Sequence, residues 1–182
     1  MAQIANPDST VTASTWQTES ASSTLHPSIN DGSNSTYITD ANFGSPGQCE
    51  VGLSDLTDPV SSSGHTIYIS GRYVSFTTPV TVYLYQGGSI RAQSTISLTT
   101  NSFAGYSYTL NASEANSITD YTDLRFRFTA GSANYAIEVS HARFEVPDAA
   151  SPPPPPPPPP SSNFIEMSNA QFRIEGLTNL GG

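Results

Sequence analysis

The stretch "PVTVYLYQGGSIRAQSTI" (79–96) consists of two runs of period-two alternation meeting at Gly87-Gly88. A two-residue hairpin turn needs positive φ, which glycine adopts without a Cβ clash, so the stretch predicts a β-hairpin.

The same alternation recurs on both sides. Upstream it appears in "TVTASTWQT" (10–18), "STYIT" (35–39), "CEVGL" (49–53) and "HTIYISGRYVSF" (65–76). Downstream it continues in "GYSYTL" (105–110), "DLRFRFT" (123–129) and "NYAIEVSHARFEV" (134–146). Each run is rich in β-branched or aromatic residues and is bounded by Gly, Pro, Asn or Asp. The prediction is an all-β chain, an antiparallel β-sandwich or jelly roll of about nine strands.

Two runs also indicate which way side chains face. In "DLRFRFT", Leu124, Phe126 and Phe128 share one face, which leaves Arg125 and Arg127 on a solvent or partner face. In the last run Ile137 and Val139 change parity relative to Ala142, Phe144 and Val146, and a bulge near Ser140 and His141 reconciles the halves. The one helical candidate is "NASEANSITD" (111–120), a single turn capped by Ser113.

Composition narrows the classes of function. Six arginines and no lysine stand against 15 acids, giving a net charge of −9, which makes a nucleic-acid backbone a poor partner. Cys49 is the single cysteine, which excludes an internal disulfide framework and any cysteine-based zinc cluster; it reads as a small buried apolar residue. No run approaches the ~18 apolar residues of a membrane span, and "MAQIANPDST" has neither a basic n-region nor an apolar h-region. Synthesis in a cytoplasm without classical export is expected. His26, His65 and His141 have no metal-ligand spacing, and no G-x-S-x-G elbow, Walker loop or dinucleotide-binding glycine pattern occurs, so no catalytic residues are assigned.

Two binding chemistries have candidate residues. In "SINDGSNSTYITD" (28–40), Asn30, Asp31, Asn34 and Asp40 offer oxygen ligands suited to calcium around a glycine turn. Their spacing departs from the EF-hand pattern, and a turn that hydrogen-bonds its own backbone is the competing reading. For glycan contact, the aromatic candidates are Trp16, Tyr83 and Tyr85, with Tyr68, Tyr73, Tyr106, Tyr108 and Tyr121 also available; alternation sends many of these toward a core.

Over the first 146 residues, "SINDGSNSTYIT", the early strand carrying Trp16 and the final "AIEVSHARFEV" resemble galactose-binding-like jelly rolls. The segments "NPDSTVTASTWQTES", "LHPSINDG", "CEVGLSDLTDP", "GHTIYISGRY", "LYQGG" and "SITDYTDLRFRF" resemble small β-sandwich proteins encoded among tailed-phage structural genes. That likeness implies a head decoration or fibre protein without catalytic residues. The stretch His26-Pro27-Ser28-Ile29-Asn30-Asp31 is less acidic than the corresponding turn of that group, which weakens an inherited calcium site.

Pro147 closes the last run, placing a sandwich domain at 1–147, a proline-rich linker at 148–162 and an extended tail at 163–182. Nine consecutive prolines, including Pro152, Pro156 and Pro160, favour polyproline II. At ~3.1 Å per residue they form a semi-rigid spacer of about 28 Å. Beyond them Phe164, Ile165, Met167, Phe172, Ile174 and Leu177 supply apolar side chains, and Ala170, Phe172 and Ile174 alternate with polar neighbours. So short a segment buries too little apolar surface to order itself and is suited to adding a strand to a partner's sheet edge.

The expected role is a non-enzymatic virion structural protein of a tailed phage, a capsid decoration or head fibre. The tail joins it to major capsid, neck or tail proteins, or to copies of itself as a homo-oligomer. The alternative is a carbohydrate- or receptor-binding module of a tail fibre or adhesin that contacts host-surface glycans. Neither reading involves nucleic acid, a membrane or a cofactor beyond the calcium candidate.

Overall fold

The computed structural model describes residues 2–40, 47–131, 136–149 and 155–158. Contacts divide the chain into two units, Met1–Ala150 and Ser151–Gly182. In the second unit the description covers 155–158, including Pro156, which are exposed and lack helix or strand. Pro152, Pro160 and the tail residues Phe164, Ile165, Met167, Phe172, Ile174 and Leu177 lie outside the described residues.

The described residues of the first unit form an antiparallel β-sandwich of eleven strands and two short helical turns. The strands are Gln3–Ala5 (β1), Pro7–Thr12 (β2), Trp16–Thr18 (β3), Ile38–Asp40 (β4), Gln48–Leu53 (β5) and Thr66–Tyr73 (β6). Thr78–Gln86 (β7), Ser89–Leu98 (β8), Ala104–Thr109 (β9), Leu124–Ala130 (β10) and Ile137–Val146 (β11) complete the set. The helical turns are Pro27–Asn30 (α1) and Ala112–Asn116 (α2). One sheet, called here sheet A, has the order β3-β4-β11-β6-β9, with β1 also on β11; the other, sheet B, has the order β2-β5-β10-β7-β8.

The predicted hairpin is β7–β8: Gln86 pairs with Ser89, and Gly87 takes the positive φ, +57°, between them. The predicted bulge also forms, since the register of β11 against β6 shifts between Val139 and His141. Ile137 and Val139 before it, and Ala142, Phe144 and Val146 after it, are all fully buried.

The amino-terminal run departs from expectation. "TVTASTWQT" is two strands in different sheets, because β2 pairs with β5 in sheet B whereas β3 pairs with β4 in sheet A. The chain turns between them at Ser14, whose φ is +50°, and the Trp16 amide donates to the Ala13 carbonyl at 2.9 Å. An unforeseen strand, β1, precedes them on sheet A, and Asn6 makes the crossing to β2. There the Asn6 amide donates to Ser54 Oγ (3.2 Å) and the Ser54 amide donates to the Asn6 carbonyl (3.0 Å). Alternation alone conceals such crossings, since residues on both sides of a sheet switch can face the same core.

The cap of α2 is Asn111 rather than Ser113. Asn111 Oδ1 accepts from the amides of Ser113 (2.9 Å) and Glu114 (3.0 Å), while Glu114 accepts from the Asn111 amide (2.9 Å), a reciprocal capping box.

The core lies between the sheets, with Phe126 and Phe128 of β10 facing Phe144 of β11 and Trp16 of β3 among its largest members. Trp16 and Phe128 stand 6.1 Å apart between ring centroids, tilted by 41°. Cys49 is buried in this core, and desolvation pushes its thiol pKa well above the usual value. One polar pair is enclosed with it: His65 Nε2 and the Tyr121 hydroxyl meet at 2.7 Å, and the His65 ring lies 6.0 Å from that of Phe144.

Burial holds the His65 pKa below its ordinary value of 6.5, and it does the same to His141. Above pH 6.5 neither state binds the proton and the full stability is present. As pH falls below 6.5 toward the depressed folded values, the unfolded chain gains protons that the folded chain refuses. Melting temperature is therefore expected to fall between pH 7 and 5, with a shallower slope in His65→Gln. Phe128→Ala, which vacates the contact with Trp16, is expected to lose about 3–5 kcal/mol in urea unfolding.

Candidate functional site

On β6 the outward residues are Tyr68, Ser70 and Arg72; on β11, beyond the bulge, they are His141 and Arg143. Antiparallel register sets Arg143 beside Tyr68 and His141 beside Ser70, with Ser107 and Gly105 of β9 next in line. Gly105 contributes no side chain, and a Cβ built there would meet nothing within 4 Å. The result is a depression of about 340 Å³ on the outer face of sheet A, lined by Tyr68, Ser70, Gly105, Ser107, His141 and Arg143, with Ile69 and Tyr106 also contributing.

The loop between α1 and β4 reaches this face. Asn34 Oδ1 accepts from Ser140 Oγ at 2.7 Å and from Ser70 Oγ at 3.3 Å, and the two serine hydroxyl oxygens lie 3.0 Å apart. Ser140, the bulge residue, is fully buried, so the bulge is what fastens the loop to the sheet.

The depression is rich in donors. The Arg143 guanidinium lies 4.7 Å from the centroid of the Tyr68 ring, covering that face of the ring. Its carboxylate neighbour, Glu145, is 3.8 Å away and both groups are roughly a third exposed, which makes this a weak pair. Arg143 Nε and His141 Nδ1 are buried without a hydrogen-bond partner among the described residues. Burial, reinforced by the charge of Arg143, lowers the His141 pKa against an opposing pull from Asp31.

Further along the same face, Arg72 is held by Glu138 at 2.5 Å and lies 4.4 Å from the Phe103 ring centroid and 5.7 Å from that of Tyr37. The outer face of sheet B carries Arg125 and Arg127, as their alternation predicts. Arg127 donates to Glu50 (Nε, 2.6 Å) and to the Tyr85 hydroxyl (2.6 Å), and its guanidinium sits 4.1 Å from the Tyr85 ring centroid.

The three glycan candidates are not brought together. Trp16 is 1% exposed in the core, because β3 turns it inward, so it has no surface to offer a sugar. Tyr83 and Tyr85 are neighbours on sheet B, 6.2 Å between centroids, but Tyr85 is 8% exposed beneath Arg127 and only Tyr83 is half-buried. Tyr121 is a core residue, and Tyr73, Tyr106 and Tyr108 are partly buried against the core. Of the remaining candidates Tyr68 and Tyr106 line the depression, Tyr106 with its ring partly buried against the core. His141 and Arg143, to which the sequence alone assigns no binding role, also line it. Their shared parity with the outward half of β11 was the available signal.

The four calcium candidates are likewise dispersed. Asn30 Nδ2 donates to the Pro7 carbonyl (2.9 Å), and Asn34 binds Ser140. Asp31 accepts from the Ser33 amide (2.8 Å) and Thr36 Oγ1 (2.6 Å), bonds that outweigh desolvation and keep its pKa low. Asp40 accepts from Thr15 Oγ1 (2.9 Å) and the Gly47 amide (2.7 Å). The turn that hydrogen-bonds its own backbone is thus what Asp31 forms. Among the described residues no group of three or more His, Cys, Asp or Glu side chains is placed to hold a metal ion. Among the same residues no helix is long and apolar enough to cross a membrane.

No family model and no curated protein matches the chain. Several solved structures do. The chain is similar to the C-terminal CBM6 of LamC, a marine laminarinase from Zobellia galactanivorans, at 12% identity, covering 80% of this chain and 100% of that one, with a TM-score of 0.49. It is similar to the Clostridium thermocellum xylanase Xyn10B CBM22-1-GH10 modules at 10% identity, covering 82% and 30%, with a TM-score of 0.48. It is also similar to the enzymatically active domain of bacteriophage CBA120 tailspike protein 4 at 12% identity, covering 79% and 19%, with a TM-score of 0.46.

Because Ser140 is fully buried and Asn34 is its acceptor, Asn34→Ala is expected to cost about 1–3 kcal/mol, read as a lower urea midpoint. Asn34→Asp, which keeps the acceptor, recovers most of that loss.

Proposed function

We propose that the sandwich is a non-catalytic glycan-recognition module and that the sheet A depression receives the saccharide. The observation that carries this is the depression itself, where hydroxyls of Ser70 and Ser107, the imidazole of His141 and the guanidinium of Arg143 converge around an open glycine. Sugars present dense hydroxyl arrays, and a shallow face lined with side-chain donors and acceptors on rigid strands matches that chemistry.

Gly105→Tyr provides the test. Its side chain enters open space on an edge strand, where aromatic residues are favoured, so the fold is expected to keep or gain stability while the depression fills. Calorimetry with neutral and acidic oligosaccharides is expected to give Kd values below about 1 mM for the natural sequence and none for the variant. Absence of saturation by every saccharide at millimolar concentration would reject the reading.

The same proposal places the module on a tailed-phage virion. It would be made in the host cytoplasm and joined through residues 163–182 to capsid, neck or tail proteins or to sister subunits. Support comes from the alternation of Ala170, Phe172 and Ile174 beyond nine prolines, the pattern of a segment that orders on a partner's sheet edge. Deleting 163–182 is expected to leave the melting temperature of the sandwich unchanged and to abolish incorporation into particles; incorporation at the natural level would reject the attachment role.

A further inference from the structure

We infer that the sheet A depression selects saccharides bearing a carboxylate, as uronic acids do, with the Arg143 guanidinium as the anchor for that group. The inference rests on the glycan reading above and narrows it to a substrate class.

Three observations carry it. First, the usual means of holding a neutral sugar, a bare aromatic face, is reduced at this depression: Arg143 lies over the Tyr68 ring at 4.7 Å, and Tyr106, which also lines it, is partly buried against the core. What remains for a ligand is mainly the donors of Arg143, His141, Ser70 and Ser107.

Second, the donors are underused. Arg143 Nε and His141 Nδ1 are buried and lack a hydrogen-bond partner among the described residues, and a buried donor left without an acceptor is costly. A planar carboxylate accepts two parallel N–H bonds from a guanidinium, and because the Arg143 side chain is 37% exposed while its Nε is enclosed, the terminal nitrogens are the ones it presents to a ligand. A neutral hydroxyl, with two lone pairs on a single oxygen, accepts without the charge and the planar two-oxygen match that strengthen the carboxylate's bonds.

Third, the surrounding charges leave this cation available. Arg72 is tied to Glu138 at 2.5 Å, and Arg127 to Glu50 through Nε at 2.6 Å. Among the described residues the ion pair of Arg143 is the 3.8 Å contact with the part-exposed Glu145, and the nearer faces of β6 and β9 contribute Tyr68, Ser70, Gly105 and Ser107, none of them acidic. Asp31 acts on His141, but its oxygens already accept from Ser33 and Thr36. In a chain of net charge −9, a site holding an arginine with only a weak, part-exposed ion pair is selective, because the predominantly acidic surface repels a polyanion.

The experiment is calorimetry on the full chain with oligogalacturonate and with a neutral galacto-oligosaccharide of equal length, at 0.05 and 0.5 M salt, roughly a threefold change in Debye length. The expected result is tighter binding of oligogalacturonate, weakened by salt. Arg143→Gln should weaken it about 10- to 100-fold and weaken the neutral sugar by a clearly smaller factor. His141→Gln serves as the second variant and should weaken oligogalacturonate less, and the melting temperature of each variant establishes that it is folded. Equal affinity for both sugars, or oligogalacturonate binding indifferent to both substitutions, overturns the inference and leaves the glycan reading standing. Failure of both sugars to bind the natural sequence overturns the two together.

Discussion

The bulge at Ser140 is the constraint on which both the core and the outer face of sheet A depend. A strand's side chains alternate, so an uninterrupted β11 could not keep Ile137 and Val139 inward together with Ala142, Phe144 and Val146. One extra residue absorbs the conflict. It also turns His141 and Arg143 outward beside Ser70 and Tyr68, and it buries a serine hydroxyl that must find partners, which it does in Asn34 and Ser70. Core packing, the seating of the 31–37 loop and the lining of the depression thus follow from one irregularity in one strand.

Arginine's role on the two outer faces follows a common rule. Arg72 with Phe103, Arg127 with Tyr85 and Arg143 with Tyr68 each lay a planar cation over an aromatic ring. A lysine ammonium lacks that plane and is more strongly hydrated, which gives physical sense to a chain that uses arginine for all six basic positions. The aromatics that looked available for sugar stacking are in two of the three cases already occupied by the protein's own guanidinium groups, at Tyr85 and at Tyr68.

The fold was largely legible in the sequence because period-two alternation and glycine turns are local signals. The β7–β8 hairpin, the inward face of β10 and the bulge of β11 were all readable from neighbouring residues. The points where the chain changes sheets were not. At Asn6 and at Ser14 a few residues carry the chain from one layer to the other while the apolar pattern continues, so β2 and β3 read as one strand and β1 was missed. The site was less legible still. That Arg143 lies beside Tyr68, or His141 beside Ser70, depends on pairing across about 70 positions of sequence, which no local pattern encodes. Trp16 was misjudged for the opposite reason: its chemistry suits a sugar, but a three-residue strand points it into the core.

The position of β11 in sheet A also bears on the order of events in folding. It is the last strand of the sandwich in sequence, yet it is the one that β1, β4 and β6 all pair with. Gln3 waits for Val146, almost the full span of the domain, for its strand partner. Sheet A therefore has no centre until the end of the domain has been synthesised, and its loop closures are among the longest the chain permits. Such a topology folds slowly, as one late cooperative step rather than strand by strand behind the ribosome, and until β11 arrives the edges of β4 and β6 remain open to pairing with other chains.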